Sequence, residues 1–120
     1  MNRVHLIGRV AKDFEVKATP KGTSVCMFTI AVDDGYGENK RTNWPQIVVW
    51  GKAADNCGKY LHKGSKVAIF GKLQTRDYER DGRKVYVTEV VADMHEGVEF
   101  LDPKSKNQQQ NPMDDEEVPF

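Results

Sequence analysis

The chain has 120 residues, enough for one domain around a single core plus at most a tail, and its 18 Lys/Arg balance 18 Asp/Glu. No apolar run reaches the roughly 18 residues of a membrane-spanning helix, and Met1-Asn2-Arg3-Val4-His5 lacks a charged-then-apolar leader. Cys26 and Cys57 stand apart without metal-ligand spacing, so the expectation is a cytoplasmic protein with reduced core thiols, no bound metal and no disulfide.

Asn2 to Ala11 reads as a first strand, with apolar surface from Val4, Leu6 and Ile7. Gly8 marks a bend or bulge of the kind a curved barrel wall needs. Phe14 to Ala18 extends it after a polar break at Lys12-Asp13, and Thr19-Pro20-Lys21-Gly22 is a turn, with Pro fixing φ at its second position. Ser24 to Val32, rich in β-branched and apolar residues, is the second strand. A polar loop from Asp33 to Asn43 follows, carrying Tyr36, Lys40 and Arg41. Trp44 to Trp50 reads as the third strand, and alternation puts Trp44, Gln46, Val48 and Trp50 on one face, with about 20 Å between the indoles. Two readings of these indoles stay open at this point. A Trp in a strand ordinarily fills a core or an interface; two rings beside a basic pair also suit the stacking of unpaired bases.

From Gly51 to Lys63 the apolar period changes to that of a helix, with Ala54, Cys57 and Leu61 on one face and Gly64 as its terminator. Asp55 near the start and Lys59, His62 and Lys63 near the end match the helix dipole. Lys66 to Thr75 is a fourth strand interrupted by Gly71, and Val85 to Val91 completes a fifth. Asp81-Gly82 is a strong two-residue hairpin signal that pairs Tyr78 with Val85, Glu79 with Lys84 and Arg80 with Arg83. The last pair is like-charged and unfavourable without an anion between its members. Five strands with one short helix between the third and fourth define an all-β class, a five-stranded Greek-key barrel of the OB type. The organisation read from the chain is a barrel over residues 1–101, a polar linker over 102–113 expected to be disordered, and an acidic tip over 114–120.

Charge is distributed unevenly. Lys40 to Thr88 holds eleven Lys/Arg against four Asp/Glu, an excess of seven positive charges, whereas Asp114 to Phe120 holds four acids and no base. A basic body suits an anionic ligand, and the acidic tip suits a separate task. Asp33-Asp34, with Arg41 nearby, is the one candidate metal pair for catalysis. Adjacent strand-end carboxylates point apart, however, and His5, His62 and His95 sit on separate elements, so no enzyme is expected.

Several stretches then carry a family resemblance. Asn2-Arg3-Val4-His5-Leu6-Ile7-Gly8-Arg9-Val10, Trp44 with Val48-Val49-Trp50-Gly51-Lys52, Tyr60-Leu61-His62-Lys63-Gly64, Gly71-Lys72-Leu73-Gln74-Thr75-Arg76 and Thr88-Glu89-Val90-Val91-Ala92 resemble, in order and spacing, the bacterial single-stranded DNA-binding proteins. Asp114-Asp115-Glu116-Glu117-Val118-Pro119-Phe120 is similar to that family's acidic Pro-Phe tip. The resemblance implies base stacking by Tyr36, Trp44, Trp50 and Tyr78. It also implies a homotetramer joined partly through the first strands, no cofactor, and a cytoplasmic, nucleoid-associated role in DNA replication, repair and recombination. Partner proteins of those processes would be held by Asp114, Asp115, Glu116, Glu117, Val118, Pro119 and Phe120. Candidates for the phosphate track are Lys40, Arg41, Lys52, Lys72, Arg76, Arg80, Arg83 and Lys84. Pro45 stands where several relatives carry a subunit-contact His, which puts the tetramer contact there in question. The competing reading is a related OB barrel for primosome assembly or RNA binding.

Overall fold

A computed structural model describes residues 1–102. The tip at residues 114–120, and the linker apart from Asp102, lie outside the described residues.

Strand β3 (Ser24–Asp34) is the hub of the sheet. Its alternation buries Cys26, Phe28 and Ile30 and turns Met27 outward. It pairs with β1 (Val4–Val10), with the short β2 (Val16–Ala18), with β4 (Arg41–Asn43) and with β5 (Gln46–Trp50). β5 alternates in the same way, with Ile47 and Val49 fully buried and Trp50 outside. Helix α1 (Lys52–Tyr60) follows, then β6 (Lys66–Arg80), β7 (Arg83–Ala92) and β8 (Val98–Phe100).

The sheet closes on itself. β1 pairs with β3 through Arg9 and Val10 and with β6 through Val4 to Arg9, so the ring runs β1-β3-β5-β7-β6 and back to β1. β5 and β7 are parallel; the other pairings are antiparallel. Gly8 sits where β1 passes from one neighbour to the other, and a Cβ there would run into the Ala31 carbonyl. A Cβ on Gly71 would likewise meet the Val91 carbonyl. Inside the ring Ile30, Ile47, Val49, Val67 and Ile69 are fully buried, each worth about 1.5–3 kcal/mol of transfer free energy. Ala54 and Cys57 of the helix, and Leu61 just after it, join that core. The five-stranded barrel and the helix between its third and fourth strands stand as expected.

Four local readings change. The third strand does not run from Trp44. The chain breaks at Trp44-Pro45 and β5 begins at Gln46, because Pro45 has no N–H for the ladder; its carbonyl instead accepts from the Ile30 N–H at 3.2 Å. The loop after β3 is largely a two-stranded arm, with Asp33 opposite Thr42 and Asp34 opposite Arg41, since backbone pairing tolerates polar side chains at a solvated ladder. The helix stops at Tyr60, where Leu61 turns extended and dips into the core; Gly64, φ 92°, serves the turn that follows rather than the helix end. β8, which pairs with the barrel half of β6, is a three-residue strand outside the expected set.

Candidate nucleic-acid interface

β6 is one continuous fifteen-residue strand whose first half builds the barrel wall and whose second half projects as a hairpin with β7. Asp81 and Gly82 both have positive φ, 53° and 77°, as a primed two-residue turn requires. That turn fixes Tyr78 opposite Val85, Glu79 opposite Lys84 and Arg80 opposite Arg83, the expected register. At the barrel end, the Asn2 side chain clamps the hairpin's root: Nδ2 donates to the Leu73 carbonyl and Oδ1 accepts from the Leu73 N–H, both at 2.9 Å.

Register defines the outer face. Val25 and Met27 lie beside Trp50 and Val48; Val48 lies beside Val91; and Val91 and Glu89 lie opposite Lys72 and Gln74, with Arg76 and Tyr78 continuing the row. Two open grooves share this face. One, about 710 Å³, is lined by Met27, Val48, Trp50, Gln74, Arg76 and Glu89; the other, about 570 Å³, by Arg3, His5, Trp50, Phe70, Lys72 and Gln74. Trp50 borders both.

None of the four candidate stacking rings is in the core. Tyr36 is 92% exposed at the tip of the β3–β4 arm, Trp44 60% exposed just before β5, Trp50 37% at the end of β5 and Tyr78 39% on the hairpin. Burial in the barrel core is thereby excluded for both indoles. The candidate cations divide into two sets. Lys40 pairs with Asp33 at 3.3 Å, Lys84 with Asp77 at 3.6 Å, and the Arg76 Nε donates to Glu89 Oε1 at 2.6 Å. That bond and the Glu89 charge raise the Arg76 pKa. Arg41, Lys52, Lys72, Arg80 and Arg83 are exposed and have no ion pair among the described residues.

Some surface residues were not singled out from the sequence. Tyr86, 67% exposed, sits opposite Asp77 on the hairpin's other face; the alternation Val85-Tyr86-Val87 was the available signal. Glu89 is buried, and nothing in a charged residue at an outward-facing position signals that. Cys26 and Cys57 are free and buried, and hydrogen bonding between the thiols together with burial pushes the Cys57 thiol up. Among the described residues no group of three His, Cys, Asp or Glu is placed to hold a metal ion, and no helix is long and apolar enough to cross a membrane.

A closed five-stranded barrel with a helix after its third strand, displaying exposed rings and cations that have no ion pair among the described residues, defines an OB-fold protein with a face suited to flexible polyanions. Residues 1–101 match the model of the single-strand binding protein family, and the chain belongs to that family. It is 44% identical over 109 residues to the single-stranded DNA-binding protein of Bacillus cereus, covering 88% of this chain and 62% of that protein. It is 48% identical over 109 residues to single-stranded DNA-binding protein 3 of Listeria innocua, covering 87% and 66%, and 45% identical over 114 residues to single-stranded DNA-binding protein 2 of Staphylococcus aureus, covering 91% and 79%. The chain thus spans a little under two thirds of the Bacillus and Listeria relatives. Among solved structures, the Plasmodium falciparum SSB in complex with ssDNA superposes with a TM-score of 0.77 at 30% identity, covering 85% of this chain and 96% of that one.

Proposed function

We propose that this chain binds single-stranded DNA without sequence preference and protects it during replication, recombination and repair. The observation that carries the reading is the exposure of all four candidate rings, with Trp50 bordering both grooves of a face that also presents Lys72. Family membership and the likeness to a structure that holds ssDNA support it. Rings stack on any base through its π-face, contributing about 1–3 kcal/mol per base, and free cations along the track neutralise phosphates. No bond is made or broken, so the protein acts by occupying the strand.

The same reading includes a homotetramer. Support comes from β1, where residues 4–8 pair with β6 alone and Ile7 is exposed, leaving a strand edge and an apolar side chain for a second copy. The acidic segment Asp114–Phe120 would recruit proteins with a basic rim around a small apolar pocket, and would occupy the chain's own basic face when DNA is absent. The site of action is the cytoplasm, on the nucleoid. Titration with oligo-dT at several salt concentrations, followed by Trp emission, tests the central claim. Quenching with salt-dependent affinity is expected; unquenched emission at saturation removes the stacking role of the indoles, and preference for RNA in competition moves the chain to the RNA-binding class.

A further inference from the structure

Glu89 is the one buried acid among the described residues, 3% exposed on the outer face of β7. A charge taken from water needs a compensating partner, and this carboxylate has one: Oε1 accepts from the Arg76 Nε, while Oε2 is buried with no hydrogen-bond partner among the described residues. Arg76 lies two positions from Tyr78 on β6, its side chain 41% exposed and its guanidinium carbon 5.9 Å from the Tyr78 ring centroid. Its terminal nitrogens have no hydrogen bond among the described residues. The short contact and the ring partner fix a side chain that is otherwise among the most mobile on a protein surface. The carboxylate at 2.6 Å also cancels the charge that would displace counterions from a phosphate backbone.

Resting on the reading of this face as a single-stranded DNA interface, we propose that Glu89 is a positioning residue. It locks Arg76 beside Tyr78 and compensates its charge, so that Arg76 meets the strand as a fixed planar donor and stacking surface rather than as a counterion-releasing cation. The two roles differ in one observable, the slope of log affinity against log salt, which changes by about 0.7 for each phosphate-neutralising charge on a single strand.

Three full-length variants, Glu89→Gln, Arg76→Gln and the double variant, are titrated with oligo-dT across salt concentrations, with circular dichroism as the check of fold. Glu89→Gln keeps an acceptor for Arg76 but releases its charge, and its slope should steepen by about 0.7. The double variant removes both charges; it should keep the wild-type slope while losing roughly twofold to tenfold in affinity at every salt concentration, the value of one or two hydrogen bonds. The double variant leaves no lone buried charge, so it decides the matter even if a single variant fails to fold. A slope for Glu89→Gln equal to wild type, or one for the double variant shallower by about 0.7, overturns the proposal. Absence of salt-dependent binding by the wild-type chain overturns instead the interface reading on which it rests.

Discussion

Trp44→Ala is the sharpest probe of the interface. Trp44 stands outside the strands between β4 and β5, 60% exposed, and contributes nothing to the buried cluster inside the barrel. Truncation should therefore leave thermal stability within about 0.5 kcal/mol, a shift of no more than about 4 °C for a barrel of this size. One ring offers one stacking platform, so the loss of affinity should equal the contribution of one base, about 1–3 kcal/mol, or roughly fivefold to 150-fold. Because no charge is removed, the salt slope should not move. The chain has two Trp, so the variant also leaves Trp50 as the sole indole, and its emission reports the β5 position alone. Oligo-dT titration of the wild type, Trp44→Ala and Trp50→Phe separates the two rings. Wild-type affinity in Trp44→Ala, with the fold intact, would refute stacking at that position.

Gly71→Ala should destabilise the barrel by about 1–3 kcal/mol, read as a lower urea midpoint, because the added methyl meets the Val91 backbone carbonyl rather than a yielding side chain; an unchanged midpoint would contradict the close approach of β6 and β7. A thiol reagent should label neither Cys26 nor Cys57 in the native protein and both in denaturant, since both are buried and the Cys57 thiol is held neutral. Rapid labelling under native conditions would show that the helix detaches from the core. Deleting residues 114–120 should raise DNA affinity at low salt and leave it unchanged at high salt, where screening removes the competition. Equal affinities at low salt would end the idea that the acidic segment competes for the basic face.

The sequence made the β6–β7 hairpin legible down to its pairings, because a two-residue turn with positive φ at Asp81 and Gly82 leaves only one register. The helix face was equally plain at Ala54 and Cys57, which recur at helical spacing and are both buried, whereas Leu61 reaches the same core from the extended residue after the helix. What escaped was long-range. In the β3–β4 arm only Val32 is apolar; Asp33, Asp34, Arg41, Thr42 and Asn43 are polar, so no apolar alternation betrays it. β8 is three residues long and is defined by its partner β6, thirty residues away in the chain. At the site, the exposed rings were readable as aromatic residues among polar ones, but the partners of the cations were not. That Arg76 belongs to Glu89, Lys40 to Asp33 and Lys84 to Asp77 follows only from cross-strand neighbours.

The way β1 closes the ring bears on how the protein is born. Val4 pairs with Gly71 and Arg9 with Lys66, so the first strand's main partner is made about sixty residues after it. Until β6 emerges, β1 can hold only Ala31 and Ile30 through Arg9 and Val10, and most of its length has no ladder at all. Pairings this distant form slowly relative to local ones. During synthesis, therefore, β1 waits with both edges of residues 4–8 open and Ile7 uncovered. An edge left open in the finished barrel is open earlier and more fully in the unfinished one, so the nascent chain is most exposed to wrong edge pairing before β6 closes the ring.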